Sequence, residues 1–368
     1  MRYVLGGTRM SLRRLPLDPK RSAAIVGLAY VHDRTPGFTR SRRGKGFVYL
    51  DCRGKHVTAA KQIERIRALA IPPAWERVWI CPSPSGHLQA VGYDFRGRKQ
   101  YRYHGAYRAV RNQTKFDRIP RVVEALEAIR KTARKHLALS GMPREKVLAA
   151  VISILDQTGV RVGNEASAEE NKTFGITTLN NRHVEIDGST VRFRFTGKSG
   201  VRQEVEINDR RLAHIVQQCH DLPGHHLFEY IDEAGALRTV TSTDVNAYLR
   251  EISGESLTAK DLRTWAGTVE CAIALRDLGE FPTSGEGKRN VVAAIKTAAA
   301  RLGNRAATCR AYYVHPAIPE AYLEGWLVEA MGPAREAGPT GHLSADERSI
   351  LNVIERYRAA PRELSMTA

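Results

Sequence analysis

The chain lacks the features that mark secreted and membrane-spanning proteins. No run approaches the roughly 20 consecutive apolar residues that a membrane span needs, and the opening residues MRYVLGGTR contain no apolar signal core. Cysteine is scarce: the five cysteines are widely spaced, odd in number and without a C-x-x-C pair, which argues against a disulfide framework or a zinc ribbon. These absences predict a cytoplasmic protein with reduced, buried cysteines: Cys52, Cys81, Cys219, Cys271 and Cys309.

Negative charge is also in deficit. The 368 residues include 57 Lys and Arg but only 39 Asp and Glu, which leaves a formal net charge of +18. Such an excess indicates an anionic partner, and nucleic acid is favoured because arginine recurs beside aromatic residues. The 42% hydrophobic content is sufficient for folded cores and excludes a disordered basic protein, and the length fits two domains.

The hydrophobic pattern changes near residues 112–120. Before it, short β-type runs alternate with turn signals at 82–86 and 94–98, after a polar, basic segment that we interpret as a mobile arm. We therefore predict a small β-rich domain with a basic N-terminal arm over residues 1–112.

Beyond this boundary, helical spacing predominates over residues 113–331. The pattern predicts a mainly α catalytic domain with helices over 122–137, 145–158, 242–252, 258–278 and 288–302. Three β-type runs interrupt it at 184–186, 191–195 and 201–207, around turns at 187–188 and 197–200, and we expect them to supply the domain's one β-hairpin. For residues 332–368 the composition predicts a Gly/Pro-rich linker and then a short helix that begins with a capping box at Ser344. The predicted fold class is α+β.

Five residues of the second domain stand out for chemistry, although each has an ordinary structural explanation when taken alone. An arginine between glycines is usually solvated, as is a lysine at a hairpin tip. An asparagine after a glycine often belongs to a helix C-cap, and a tyrosine usually packs in a core. The five residues are Arg161, Lys198, Arg263, Asn304 and Tyr313.

Six motifs and their order carry more information than these single residues. They are IPPAW at 71–75, GRKQYRY at 97–103, RVGNE at 161–165, FTGK at 195–198, KDLRTW at 260–265, and LGN at 302–304 leading to CRAYYVHP at 309–316. The set resembles the type IB DNA topoisomerases, specifically the small poxvirus-like enzymes found in bacteria. The similarity spans roughly residues 25–330.

This resemblance implies an activity and a shape. Family members form a C-shaped clamp on duplex DNA, and a tyrosine attacks a phosphodiester to give a 3′-phosphotyrosine and a free 5′-hydroxyl. The cut strand rotates, which relaxes positive and negative supercoils, and is then resealed. One ester replaces another, so no ATP or other cofactor is expected, a divalent cation is at most stimulatory, and no metal site is predicted. We expect a monomer, associated with the nucleoid, without an obligatory protein partner or membrane contact.

The resemblance also implies a role for each of the five residues. Arg161 and Arg263 would clamp the non-bridging phosphate oxygens, because planar guanidinium groups match them bidentately. Asn304 stands where many relatives have histidine, and would donate a neutral hydrogen bond. Lys198 would give a proton to the leaving oxygen from a mobile hairpin.

Two adjacent tyrosines compete for the role of nucleophile. Tyr313 lies nine positions after Asn304 and within Tyr-Val-His-Pro, and both features match the family, whereas Tyr312 matches neither. We therefore assign the nucleophile to Tyr313. Arg310 either contacts the adjoining phosphate or forms a salt bridge at a helix end.

The first domain supplies the other predicted DNA contacts. Gln100, Tyr101 and Tyr103 match the family strand that lies in the major groove. Strand alternation predicts the two tyrosines on one face and Gln100 on the other, and core packing of one tyrosine is an open alternative. Sequence-independent attraction of phosphates is predicted for a basic group: Arg34, Arg40, Arg42, Arg43 and Lys45.

Three other functions fit parts of the sequence less well. A tyrosine recombinase would share the arginine, lysine and tyrosine chemistry, but usually has histidine three residues before the second arginine, where this chain has Lys260. A noncatalytic architectural protein would explain the charge and leave the ordered set of five unexplained. A metal hydrolase is disfavoured, because the histidines at 220, 225 and 226 have no accompanying pair of carboxylates.

Overall fold

A computed structural model describes residues 18–44, 46–334 and 342–360. The chain divides into two compact units, residues 1–117 and 118–368. The boundary predicted at residue 112 lies inside the last helix of the first unit, and the division of roles between the domains stays a prediction. None of the described helices is both long and apolar enough to cross a membrane.

The first unit is built on a five-stranded antiparallel sheet whose neighbouring strands are, in order, residues 46–50, 38–43, 76–80, 88–93 and 99–103. Its core is formed by Ile66, Val78, Ile80 and Ala90, which join one helix to the two central strands. The strands are β1 (Phe38–Arg43), β2 (Gly46–Leu50), β3 (Glu76–Ile80), β4 (Leu88–Tyr93) and β5 (Lys99–Tyr103), and the helices are α1 (Pro19–Ile25), α2 (Ala60–Ala68) and α3 (Gly105–Phe116).

The prediction that the basic segment before residue 46 is a mobile arm is wrong for its second half. Residues 38–43 form β1, which pairs with β2 along its length and with β3 at its start. The Arg40 guanidinium donates hydrogen bonds to the carbonyls of Ile71 (3.1 Å), Pro72 (2.9 Å) and Trp75 (2.6 Å). Its side chain therefore fastens β1 to the 71–75 loop, whereas the sequence grouped it with phosphate contacts.

The second unit is mainly helical and confirms the mixed α+β class. The three predicted β runs are confirmed as one three-stranded antiparallel sheet, but the prediction of a single hairpin is wrong, because a separate two-stranded hairpin follows it. The strands are β6 (Val184–Asp187), β7 (Thr190–Thr196), β8 (Arg202–Asn208), β9 (Glu229–Ile231) and β10 (Leu237–Thr239). The helices are α4 (Ile119–Leu137), α5 (Arg144–Thr158), α6 (Glu165–Asn171), α7 (Arg210–His220), α8 (Ser242–Ser253), α9 (Ala259–Leu278), α10 (Ser284–Arg301), α11 (Ala306–Tyr312), α12 (Ala317–Leu323), α13 (Leu327–Met331) and α14 (Ala345–Ala359).

Helix α9 is the central element of this unit, with α4, α5, α10 and α14 packed around it. It begins at a capping box in which the Thr258 N–H donates to Asp261 Oδ2 (2.9 Å), and it ends at Gly279. Leu262, Trp265 and Leu275 are buried along it. A helix that is enclosed on most sides holds the residues of its first two turns in fixed positions.

Helix α14 is fastened to the unit by a buried ionic network. Arg130 of α4 binds both oxygens of Glu347 (2.8 and 2.9 Å) and also Asp156 of α5 (2.7 Å). The Trp265 indole N–H donates to Glu347 Oε1 (3.0 Å). Burial alone would lower the pKa of Arg130, but the hydrogen bonds to Glu347 and Asp156 outweigh burial and raise it. The capping box predicted at Ser344 is confirmed.

All five cysteines are free thiols. Four are buried as predicted, but Cys52 is exposed in the turn after β2. Burial raises the pKa of both Cys219 and Cys271 to about 12, which keeps them as neutral thiols.

Candidate active site

Two glycine turns form the base of the candidate site. Gly159 ends α5 with φ 64°, and Gly303 follows α10 with φ 58°, a region that side chains other than glycine rarely adopt. A Cβ on Gly159 would lie 2.6 Å from Leu302 Cδ2, so the two turns are in contact. Their backbone carbonyls are the acceptors on which the arginines of the site are held.

Arg263 lies near the start of α9 and only 4% of it is exposed. Its guanidinium donates to the carbonyl oxygens of Gly159 and Leu302, the latter at 3.0 Å, and so spans both turns. Burial, followed by the positive charge of Arg161, lowers the pKa of Arg263 to about 10. The side chain therefore stays protonated at neutral pH.

Arg161 extends from the loop after α5 and reaches the second turn. It donates to the Gly303 carbonyl (2.9 Å) and to Asn304 Oδ1, and burial lowers its pKa. Among the residues that the structure describes, no carboxylate pairs with Arg161 or with Arg263. Within the described ranges, the two adjacent guanidinium groups are partnered by neutral oxygens and a tyrosine, which leaves their positive charge available to an incoming anion.

The loop that carries Arg161 is itself held by a neighbouring segment. The N–H of Ile176 donates to the Arg161 carbonyl (2.8 Å), and the N–H of Phe174 donates to the Thr196 carbonyl at the end of β7 (2.8 Å). A Cβ on Gly175 would lie 1.9 Å from the Val162 carbonyl, so only glycine fits between them. This segment joins the Arg161 loop to the β7–β8 hairpin.

Asn304 presents one satisfied and one unsatisfied polar atom. Its Oδ1 accepts from Arg161, and this bond fixes which way the amide points. Its Nδ2 is buried and has no hydrogen-bond partner in the described part of the chain. A buried donor without an acceptor costs free energy in the empty site, which a ligand oxygen at this position would recover.

Tyr313 follows the last residue of α11 and contacts the arginine pair. The Arg263 Cζ lies 5.2 Å from the centroid of the Tyr313 ring, and the positive charge faces the ring. Tyr312, by contrast, is 38% exposed at the end of α11. The structure thus brings Tyr313, Arg161, Arg263 and Asn304 into one connected cluster.

The backbone around Tyr313 is fixed against α9. A Cβ on Gly267 would lie 2.7 Å from the Tyr313 carbonyl, so this helix position must be glycine for the segment to approach. Thr268 Oγ1 accepts a hydrogen bond from the His315 N–H (3.1 Å). Burial lowers the pKa of His315 to about 3, and its Nδ1 accepts from the Ala317 N–H (3.1 Å), which indicates a neutral structural histidine.

Lys198 occupies the predicted hairpin tip but stands outside the cluster. The tip is closed by the Gly197 N–H donating to the Val201 carbonyl (2.8 Å), and the Lys198 side chain is exposed. In the ranges that the structure describes, it forms no hydrogen bond or ion pair with the other four residues.

The predicted DNA contacts of the first unit are partly exposed. Tyr101 and Tyr103 share one face of β5, 46% and 38% exposed, with their rings stacked at 5.9 Å, and this confirms the predicted alternation. Gln100 lies on the other face and donates to Asp94 Oδ2 (3.0 Å). Arg34, Arg42 and Arg43 are exposed, as is Arg310 on α11, whereas Lys45 lies outside the described residues. Contact of any of them with DNA stays a prediction.

Sequence reasoning missed several residues that shape the site. Gly267 and Thr268 lie four and five positions after Arg263 on a helix predicted correctly, so helical spacing could have placed Gly267 on the same face. No local signal identified the carbonyls of Gly159 and Leu302 as arginine acceptors. Three or more potential metal ligands do not cluster anywhere in 18–44, 46–334 or 342–360.

Comparison with known proteins agrees with this arrangement. Residues 104–320 match the family described as eukaryotic DNA topoisomerase I, catalytic core, and residues 46–94 match the bacterial DNA topoisomerase IB, N-terminal domain. The chain is 30% identical to DNA topoisomerase 1B of Acanthamoeba polyphaga mimivirus over 293 residues, which is 78% of this chain and 87% of the viral protein. It is also 30% identical to DNA topoisomerase 1B of vaccinia virus over 119 residues (32% and 38%), and 28% identical to DNA topoisomerase 1 of Daucus carota over 159 residues (42% and 19%). The chain therefore belongs to the type IB, or eukaryotic-type, DNA topoisomerase I family.

Proposed function

We propose that this protein relaxes supercoiled duplex DNA of either sign by cutting and resealing one strand, with Tyr313 as the nucleophile. The observation that carries the proposal is the cluster itself: a tyrosine ring lies against a buried arginine, and a second arginine and an unsatisfied amide donor lie beside it. A tyrosine nucleophile with convergent donors that lack an anionic partner fits a phosphodiester substrate.

In the proposed step, the Tyr313 phenolic oxygen attacks the phosphorus and releases its proton to water. The bond from phosphorus to the 5′ oxygen breaks as the new P–O bond forms, and Lys198 gives its proton to that oxygen to leave a 5′-hydroxyl. Arg161 and Arg263 stabilise the negative charge on the non-bridging oxygens, and Asn304 donates a neutral hydrogen bond. The reverse step reseals the strand after rotation.

This chemistry sets the proposed requirements of the reaction. Because a phosphotyrosine ester replaces a phosphodiester, the free energy of the bond is kept and no ATP is consumed. The arginine pair supplies the charge stabilisation that a metal ion supplies in other phosphoryl-transfer sites, so a divalent cation would at most stimulate turnover. We further propose that the protein acts as a monomer on cytoplasmic DNA, with the exposed basic and aromatic residues of the first unit binding the duplex.

The test is relaxation of positively and negatively supercoiled plasmid in the presence of a chelator and without ATP. We expect the wild type to relax both substrates, Tyr313→Phe to lose relaxation and Tyr312→Phe to retain it. Denaturing the reaction with detergent should leave protein covalently attached to DNA in the wild type and not in Tyr313→Phe. Relaxation by Tyr313→Phe at the wild-type rate would refute the proposed nucleophile.

A further inference from the structure

Gln203 of β8 occupies the space between the hairpin tip and the turn that carries Asn304. A Cβ on Gly303 would lie 1.9 Å from Gln203 Oε1 and 2.2 Å from Nε2. A Cβ on Gly197 would lie 2.9 Å from Gln203 Cγ. The Gln203 side chain therefore packs against Gly197, next to Lys198, and against Gly303, next to Asn304. The absence of a Cβ at both glycines makes room for it.

The position of Gln203 in the sheet explains this reach. It pairs with Phe195 in the β7–β8 register, two residues past the closing Val201, so it belongs to the rigid part of the hairpin. The other side of the contact is equally fixed, because the Gly303 carbonyl accepts from Arg161 (2.9 Å). The side chain thus spans from the hairpin to the turn whose carbonyl holds Arg161.

A cavity lies beside the contact between Gln203 and Gly303. This cavity, of about 300 Å³, adjoins Gln203 and is lined by Gln157, Thr158, Ala300 and Arg301 among others. Because Gln203 lines this cavity, a shortened side chain at 203 would enlarge it. The hairpin tip would then lose its support next to the turn.

We propose that Gln203 is a positioning residue that holds the Lys198 hairpin against the Gly303–Asn304 turn, so that the proton donor meets the phosphate held by the arginines. This inference rests on the proposed function, in which Lys198 protonates the leaving oxygen. Its effect is specific: loss of Gln203 impairs proton donation and leaves DNA binding and phosphate stabilisation intact.

A change of leaving group isolates this effect. The probes are two duplex oligonucleotides carrying a cleavage site mapped with the wild-type protein, one with the natural 5′ oxygen at that bond and one with a bridging sulfur there. A thiolate leaves without protonation, so the sulfur substrate bypasses the acid. Single-turnover cleavage of both is measured for the wild type, Lys198→Ala and Gln203→Ala. DNA affinity is measured in parallel.

We expect Gln203→Ala to cleave the oxygen substrate about 10- to 100-fold more slowly and the sulfur substrate within about threefold of wild type. Lys198→Ala should show the same pattern with a larger loss. Gln203→Met, which keeps the length and most of the volume, should stay near wild type on both substrates. Glu204→Gln, on the exposed face of the same strand, is the matched control and should be unaffected.

The outcomes separate the two proposals. Suppose that the sulfur substrate restores cleavage by Lys198→Ala, but Gln203→Ala is slowed equally on both substrates or is not slowed on either. The proposed role of Gln203 is then wrong, and the proposed role of Lys198 stands. If Lys198→Ala is not rescued, the proton-donation step of the proposed function fails and the Gln203 proposal fails with it. Cleavage of the sulfur substrate by Gln203→Ala at the wild-type rate also shows that the variant is folded. Gln203→Asn tests a second shortened side chain at the same position.

Discussion

Arg130 and Arg263 are both largely buried arginines of the second unit, and their surroundings have opposite chemistry. Arg130 is enclosed by two carboxylates, Asp156 and Glu347, which raise its pKa. Arg263 is held by two carbonyl oxygens beside a second arginine, and its pKa is lowered. Burial alone does not indicate function. A buried cation neutralised by the protein stabilises the fold, whereas one left with neutral partners keeps its charge available for a ligand.

The largest expected effect is the loss of stability when Arg130, the arginine paired with two carboxylates, is replaced. Arg130→Met leaves Asp156 and Glu347 without their cation, and we expect the free energy of unfolding to fall by about 3–5 kcal/mol. Denaturant unfolding of the full-length protein measures the loss. Cleavage well below the melting temperature should remain, because Arg130 does not contact the tyrosine cluster. Unchanged stability would show that the two carboxylates do not depend on this partner.

Arg263→Met should have the reverse profile. Removing a donor aimed at the developing charge is expected to slow single-turnover cleavage by about 10²–10³-fold. The free energy of unfolding should change by no more than about 1 kcal/mol, because removal of a buried charge that has no carboxylate partner offsets the loss of its two hydrogen bonds to carbonyls. Arg301→Met, at an exposed arginine paired with Glu270 (2.7 Å), is the control for general charge removal. A large fall in the free energy of unfolding of Arg263→Met would contradict the inference that Arg263, unlike Arg130, does not serve to stabilise the fold.

Asn304→Asp would give the arginine pair of the site a carboxylate partner, as Arg130 has. The new carboxylate would pair with Arg161 as Asp156 pairs with Arg130, and it would repel the phosphate. We expect cleavage to slow by about 10- to 100-fold, with no loss of thermal stability. The measurement is single-turnover cleavage beside a melting curve. Retained cleavage would mean that the charge on Arg161 is not used.

The pH dependence of stability reports on Glu347. Burial alone would raise the pKa of this carboxyl, but the hydrogen bond and charge of Arg130 outweigh it and hold the pKa below its ordinary 4.5. Its stabilisation is therefore complete above pH 4.5 and is lost as pH falls through the lowered pKa. Wild type and Glu347→Gln should differ by about 1.5–3 kcal/mol at neutral pH, and the difference should shrink in acid. A constant difference down to low pH would exclude this ion pair as the cause.

The smallest effect is expected on the surface of the first unit. Arg42 is exposed on β1, whereas Arg40 two residues earlier is bound to loop carbonyls. Arg42→Ser should weaken DNA binding and reduce the slope of log affinity against log salt by about one, without lowering the melting temperature. Arg40→Ser should lower the melting temperature instead. A lower melting temperature for Arg42→Ser, with weaker DNA binding for Arg40→Ser, would show that exposure does not distinguish a DNA-binding arginine from a structural one.

The sequence predicted what local patterns determine. Helices α8 and α9 lie within one or two residues of their predicted ends, because capping residues and apolar spacing act within a few positions. The runs that became β6, β7 and β8 were also placed, because turn residues separate them, whereas helices α3 and α7 and the β9–β10 hairpin were missed. The contacts of Arg40 and Gln203 could not be predicted, since both depend on loops that tertiary packing brings together from distant parts of the chain.

The bond between Arg130 and Glu347 joins residues 217 positions apart in the chain. Helix α4 is synthesised long before α14, so Trp265 on α9 receives its hydrogen-bond partner only after a further 82 residues have been added. Contacts of such sequence separation form slowly, because a long stretch of chain must be ordered first. A nascent chain that already contains Tyr313 but not yet α14 therefore leaves Trp265, two residues after Arg263, without its partner, and we expect the site to become fully ordered only after α14 has docked.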